Sequence, residues 1–278
     1  MRGLLRADWM RMRGRRDLWL LLVLLAVLTC LSYGFGLSSA IASLAHLPLE
    51  ASIAAPHRVG PFAYPQSVLA ALQNGQLFLL AFMAYLASGT VAAEFQYGTL
   101  RTSLVARHDR VGFVVARVTL LGAISLLAIL LLAAHGATLP AIATLMGAQL
   151  PNGEPVSASR MLSVLAASWL VTLVVIALAT LATVASRSAA VGLLSPAVAY
   201  GLEAGISNVS EALVEPLRSM TGLLPLTSGT RVLEVVTSNV PDVPLTVPEA
   251  AAAVAAITWI SGLVALAAII LHRSDIDA

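Results

Sequence analysis

Six long runs of apolar residues decide what this chain can fold into. A membrane-spanning helix needs about 20 consecutive, predominantly apolar residues. Charged residues make up only 11% of the sequence, against about 25% in soluble domains, which leaves too little charge for a water-facing surface. The sequence therefore predicts an all-α integral membrane protein, a single domain over 1–278, with six transmembrane helices at 18–37, 67–93, 111–139, 161–186, 188–206 and 250–271.

The arginines indicate the orientation of these helices. Six spans put both termini on one side, and 12 of the 16 arginines lie there. Because basic residues are enriched in cytoplasmic loops, we expect cytoplasmic termini. A composition rich in Ala and Arg without Lys indicates a bacterial genome, hence a bacterial cytoplasmic membrane. Since the arginines follow the membrane edges, they indicate a lipid bilayer as partner and no nucleic acid.

The N-terminal residues 1–17 carry a helical pattern. Apolar side chains, including Trp9 and Met12, recur at roughly helical spacing among arginines. This predicts an amphipathic helix at the membrane interface. The alternative is a disordered basic tail that only sets the orientation.

Proline-rich stretches predict the segments outside the membrane. The first two, 46–65 and 140–160, are expected to be loops. The third, 207–249, contains short periodic stretches before a proline-punctuated link. It predicts an external segment with short helices before the last span.

The residue types exclude several classes of chemistry. All 16 basic residues are Arg, so the chain lacks the Lys of a G-x-x-x-x-G-K-[ST] phosphate-binding loop. It also lacks an H-E-x-x-H pair, has a single cysteine and has few cytoplasmic acids to hold a metal ion. We therefore expect no enzyme activity and no cofactor bound by this chain. If the chain works with ATP, a partner hydrolyses it.

Ionisable groups inside the spans are scarce, although transporters driven by ion gradients usually keep them. Glu203, in the weak fifth run that Pro196 also interrupts, is the only acid at hydrocarbon depth. It is either an outer gate or substrate contact, or a helix-end residue exposed to water. Other polar or aromatic span residues either line a pathway or pack between helices: Gln73, Asn74, Gln76, Tyr85 and Trp169.

The loop between the second and third runs holds an unusual concentration of charge. Glu94 marks the membrane edge, and Gly98 permits a turn. The Thr99 hydroxyl is suited to cap a short helix, whose apolar face carries Leu100 and Leu104.

Charge pairs are expected to brace this loop, at 94–110. Arg117 lies a turn or two inside the third span, where its long side chain is expected to snorkel toward the interface. Glu94 is expected to pair with Arg101, Arg110 or Arg117. The result is a short, rigid helix beneath two spans. The alternative is an ordinary basic cytoplasmic loop.

The pattern E-x-x-x-G-T-L-R at 94–101, followed by a short helix, an arginine-containing turn and a new span, resembles the permease subunits of ABC-2 type ABC transporters. The arginine-rich opening and the long outer segment before the last span are also similar. The chain departs from the family at "ARHDR", 106–110, where many relatives carry a proline-containing turn.

The resemblance implies that this loop holds a coupling helix, which docks onto a separate ATP-binding subunit that carries ATP and Mg²⁺. It also implies a second permease subunit, identical or related, with the substrate pathway between the two, and export as the direction. The expected partner contacts are Glu94, Gly98, Thr99, Leu100, Arg101 and Leu104.

Two other classes stay open at this point. One is a secondary transporter or channel without an ATPase partner, which a buried acid–base pair within the bundle would favour. The other is an intramembrane enzyme, which a polar cluster at one shared depth would favour.

Overall fold

Six long helices dominate the structure, a computed structural model that describes residues 9–10, 12–14, 16–45, 62–97, 110–147, 150, 155–213, 223–228 and 247–273. Each helix contains a stretch long and apolar enough to cross a membrane, and the described residues form no strand. The prediction of an all-α membrane protein with six spans is confirmed. The helices are α1 (Arg16–Ala45), α2 (Gln66–Gln96), α3 (Arg110–Leu145), α4 (Ala158–Ser186), α5 (Ala189–Leu213) and α6 (Val247–Arg273).

Successive helices run in opposite directions. The link between α4 and α5 consists only of Arg187 and Ser188. Arg187 adopts a left-handed backbone (φ 54°), and the Ser188 N–H donates to the Ser186 hydroxyl at 3.2 Å. We call the end of the bundle that contains Arg16 and Arg273 the basal end, and the opposite end the distal end.

The helices α2, α3 and α4 form the centre of the bundle. In their apolar spans 61%, 61% and 50% of the residues are buried, against 22%, 17% and 28% in α1, α5 and α6. The largest apolar cluster includes Leu79, Leu121 and Ile176 from the three central helices. The outer faces of α1 and α5 expose large apolar side chains such as Phe35 and Leu202, as lipid contact requires.

The helix α3 passes through Pro140 without ending. The predicted loop from residue 140 is wrong in this respect, because the helix continues to Leu145. Proline has no N–H, so the carbonyl of Gly136 loses its helical donor. The Ser67 hydroxyl of α2 donates to that carbonyl at 2.7 Å. A neighbouring helix thus satisfies the group that proline leaves open.

The helix α5 repeats this arrangement at Pro196. Here the carbonyl without a helical donor belongs to Gly192, and the Ser195 hydroxyl donates to it at 2.9 Å. Gly192 also lies so close to Thr183 and Ser88 that a Cβ atom would collide with both. The predicted fifth span is therefore a continuous helix that packs tightly near its basal end.

The described residues before α1 are largely helical. Met12 is buried in the largest apolar cluster, whereas Trp9 is 44% exposed. The indole N–H of Trp19 donates to the Arg13 carbonyl at 3.1 Å, which ties this segment to the first turn of α1. The remainder of the predicted interfacial helix lies outside the described residues.

A glycine is required where α3 crosses α2. A Cβ atom on Gly136 would lie 2.7 Å from the Val68 Cα and 2.8 Å from both the Ala71 Cβ and the Ser67 carbonyl oxygen. These atoms belong to or adjoin the backbone, so they yield little. We expect Gly136→Ala to lower the free energy of unfolding by about 2 kcal/mol, measured by denaturant unfolding in detergent. Gly34→Ala is the matched control, because nothing lies within 4 Å of its Cβ position. An equal loss of stability in both variants would contradict the close approach of α3 to α2 at Gly136.

Candidate functional site

A buried ion pair joins the basal ends of α2 and α3. Glu94 lies in the last turn of α2 and Arg117 two turns into α3. The Nη2 atom of Arg117 lies 3.1 Å from Oε1 of Glu94, and the side chains are 4% and 8% exposed, respectively. Charges removed from water need a partner, and each of these two supplies it to the other.

The ion pair lies beside an apolar cluster to which four helices contribute. The Arg117 Cζ is 5.4 Å from the centre of the Phe113 ring, within range of cation–π attraction. Because such packing is dense, a displacement of the basal end of α2 acts on α3, α4 and α6 together. The cluster consists of Val91, Phe113, Val114, Val184, Ala267, Ala268 and Leu271.

Of the three predicted partners of Glu94, Arg117 is confirmed. Arg117 is 3% exposed and turned toward Glu94, and its snorkelling to the membrane interface stays a prediction. The side chain of Arg110 is not among the described ones. The other predicted coupling residues lie outside the described residues, and their contacts stay predictions: Gly98, Thr99, Leu100, Arg101 and Leu104.

Glu203 is a second buried acid, in the distal part of α5. It is 6% exposed, so the alternative of a water-exposed helix end is wrong. Its carboxylate accepts hydrogen bonds from the backbone N–H groups of Leu226 (3.0 Å) and Thr227 (2.7 Å). The Thr227 hydroxyl also donates to it, at 2.8 Å. A role as outer gate stays a prediction.

The segment that Glu203 holds, 223–228, packs between α5 and α6. The indole N–H of Trp259 donates to the Leu223 carbonyl at 2.7 Å, and Leu226 belongs to the largest apolar cluster. Glu203 and Trp259 each lie about 21 Å along their helices from the basal ends, at 1.5 Å per residue. The sequence assigns this segment to the outside of the membrane. The structure shows that residues 223–228 pack against the helices, and their position outside the membrane stays a prediction.

Two of the polar span residues pack helices together. The amide nitrogen of Gln76 donates to the Ser168 carbonyl at 3.3 Å and to the Thr172 hydroxyl at 3.4 Å, which joins α2 to α4. The indole N–H of Trp169 donates to the Gly122 carbonyl at 2.8 Å, which joins α4 to α3. These residues stabilise the centre of the bundle.

The other polar span residues lie on an exposed side of α2. Gln73, Asn74 and Tyr85 are exposed there, together with Leu77. In hydrocarbon, amide groups that face lipid lack hydrogen-bond partners. This side of α2, which we call the open face, therefore suits contact with another protein or with water better than contact with lipid.

Metal chemistry finds no support in the described residues, where no group of three His, Cys, Asp or Glu side chains is arranged to hold an ion. No family model matches the sequence, and a comparison with curated proteins finds no match. The site geometry and the motif at 94–101 therefore carry the functional inference.

Sequence reasoning missed Thr227, which holds Glu203, and Trp259, which holds the segment 223–228. Thr227 and Trp259 belong to no recognisable motif, and only the fold brings them to one level. The sequence does contain a signal for the carbonyl groups that the span prolines leave without a helical donor. A glycine lies four residues before each of these prolines: Gly136 before Pro140, and Gly192 before Pro196.

Breaking the ion pair is expected to destabilise the protein. Glu94→Ala leaves Arg117 buried without its carboxylate, so the free energy of unfolding should fall by about 3 kcal/mol or more. Denaturant unfolding in detergent measures the effect. Arg13→Ala, which removes an exposed arginine, is the control and should change stability little.

The double variant Glu94→Leu/Arg117→Met distinguishes a coupled pair from two separate effects. Because it removes both charges and keeps apolar volume, it should cost less than Glu94→Ala alone. A cost equal to the sum of the single substitutions would show that the two residues act independently.

Proposed function

We propose that this chain is the membrane-spanning subunit of an ATP-driven transporter of the ABC-2 type, an exporter in a bacterial cytoplasmic membrane with both termini in the cytoplasm. One observation carries the proposal. The first residue of the E-x-x-x-G-T-L-R motif, Glu94, is also the acid that locks α2 to α3 through Arg117. A loop that receives force from a partner needs such a rigid attachment to the spans that move.

The proposed mechanism assigns ATP and Mg²⁺ to the partner, since this chain has no lysine for a phosphate-binding loop. The loop at 94–110 docks on the ATP-binding subunit, and its apolar contacts are Leu100 and Leu104. When two such subunits close on ATP, the loop moves. The Glu94–Arg117 pair then transfers that movement to α2 and α3, and the basal apolar cluster transfers it to α4 and α6.

The open face of α2 supports a second permease subunit, identical or related. Gln73 and Asn74 need hydrogen-bond partners at hydrocarbon depth, and a facing subunit or a hydrated pathway between the subunits provides them. α5 packs against α2 and α4 and exposes most of its remaining surface. In this proposal the pathway runs along the open face of α2 with α5 at its side.

A secondary transporter is the second candidate, because a buried acid–base pair is a feature that such carriers use. Ion-coupled carriers place their coupling sites near the bilayer midplane. Glu94 instead lies in the last turn of its helix, and Arg117 is engaged with Phe113. This position suits a mechanical junction, so the ATP-driven transporter ranks first.

Purification of the tagged chain from its native membrane in mild detergent tests the proposal. We expect recovery of a Walker-motif subunit together with ATPase activity. Changing Leu100 to Ala should lower that recovery about tenfold or more, because a docking contact of 1.4 kcal/mol or larger is lost. Leu131→Ala, on an exposed part of α3, is the matched control for leucine removal. Recovery of the chain alone in several detergents would favour the secondary transporter.

Cysteine labelling tests the open face. In a Cys30→Ala background, Asn74→Cys should react with a membrane-impermeant maleimide at least about tenfold faster than Leu131→Cys, because thiolate formation needs water. Equal, slow labelling of both positions in intact membranes would argue against a hydrated pathway along α2.

A further inference from the structure

The distal part of α5 buries few of its side chains. Between residues 197 and 206, Glu203 is the only buried residue, and α5 has the smallest buried share of the six spans, 17%. Nearer the basal end the same helix is tightly packed, because a Cβ on Gly192 would collide with Thr183 and Ser88. α5 is therefore tightly packed at one end. In its other part Glu203 is the buried residue among 197–206, and the partly buried Ala199 also packs against the largest apolar cluster.

A proline separates these two parts. Pro196 lies one turn beyond Gly192 and two turns before Glu203. Helices bend most readily at prolines, where the backbone ladder lacks a hydrogen bond. The Gly192 carbonyl accepts a hydrogen bond from the Ser195 hydroxyl and not from a backbone N–H. Bending of the helix at this point therefore breaks no backbone hydrogen bond of that carbonyl.

The contact that Glu203 makes consists of hydrogen bonds to neutral groups. Among the described residues no arginine or histidine pairs with it, and its partners are the N–H groups of Leu226 and Thr227 and the Thr227 hydroxyl. Separated in hydrocarbon, a carboxylate and three donors would all lack partners, at high cost. Separated in water, each would be hydrated, so the net cost is small. The contact is therefore strong in hydrocarbon surroundings and weak where water reaches it.

The other side of this contact stays attached to the bundle. Trp259 holds the Leu223 carbonyl, and Leu226 is 3% exposed within the largest apolar cluster. A break at Glu203 thus separates α5 from a segment that remains on α6.

We infer that the part of α5 beyond Pro196 is a gate, that Glu203 latches it to residues 226–227, and that arrival of water or of a polar cargo opens it. The inference rests on the proposed transport function and adds its regulation. An empty, dry pathway keeps the latch shut. A hydrated cargo supplies hydrogen bonds to the carboxylate and the three donors, and α5 then swings about Pro196.

Hydrogen exchange of the full chain in lipid nanodiscs tests the latch. Glu203→Gln keeps the side-chain volume but presents an NH₂ group to the donors, so the amides of Leu226 and Thr227 should exchange about tenfold faster than in the unaltered protein. Asp17→Asn, which removes an acid at the basal end of α1, is the control and should leave this exchange unchanged. Unchanged exchange in the Glu203 variant would overturn the proposal.

Passive leak tests the gate. Proteoliposomes of the full chain are loaded with a dye that iodide quenches, and iodide entry is followed without ATP. Glu203→Gln should admit iodide several-fold faster than the unaltered chain and Asp17→Asn. Faster amide exchange without faster iodide entry would mean that Glu203 holds residues 226–227 in place without controlling passage, and would overturn the gate.

A reversible lock separates a gating effect from a folding defect. In a Cys30→Ala background, Glu203→Cys/Thr227→Cys removes the natural latch, so the reduced protein should leak. Cross-linking of the two thiols with a short bismaleimide that contains a cleavable disulfide should seal the same molecules, and reduction should reopen them. Equal leak in both states would overturn the proposal. None of these measurements involves ATP, so recovery of no ATPase in the purification test would remove the ATP-driven assignment and leave the gate standing in a secondary transporter.

Discussion

In hydrocarbon surroundings a polar group without a hydrogen-bond partner is costly, and much of the structure is organised around that constraint. The two span prolines each free a carbonyl, and a serine hydroxyl satisfies each one. The freed carbonyl belongs to a glycine in both helices, so the helix can approach its neighbour closely where its backbone is exposed. The proline, the glycine and the serine together therefore set where α3 crosses α2 and where α5 packs against α2 and α4.

The two buried acids meet the same constraint in different ways. Glu94 pairs with a full charge, Arg117, and the pair is further held by the Phe113 ring and an apolar cluster. Such a contact is expensive to break in any environment. Glu203 is held by neutral donors, whose contribution depends on whether water is near. The first arrangement suits a rigid joint, and the second suits a joint that opens.

The sequence predicts the spans well because their signal is local. Apolar runs need no knowledge of tertiary contacts, and the six helices confirm them. The pairing of Glu94 with Arg117 could also be predicted from the sequence, because the two residues flank the same loop. The loop predicted to begin at Pro140 failed because the donor that lets the helix continue, Ser67, lies in another helix.

The environment of Glu203 was beyond sequence reasoning for a similar reason. Its partners belong to a segment whose composition resembles an external loop, and only the packing of Leu226 and the Trp259 hydrogen bond bring that segment into the bundle. Local patterns report which residues tolerate lipid. They do not report which distant backbone groups a buried carboxylate will meet.

The two-residue link between α4 and α5 has a consequence for how the protein is made. α5 is the least apolar of the six spans, since Pro196 and Glu203 lower its affinity for lipid, and alone it is a poor substrate for membrane insertion. The link of Arg187 and Ser188 is too short for α5 to stay outside the bilayer while α4 inserts. The strongly apolar α4 therefore carries α5 into the bilayer as the second arm of a helical hairpin. The short link thus serves biosynthesis, because it lets the chain keep a proline and an acid in a span that would not insert by itself.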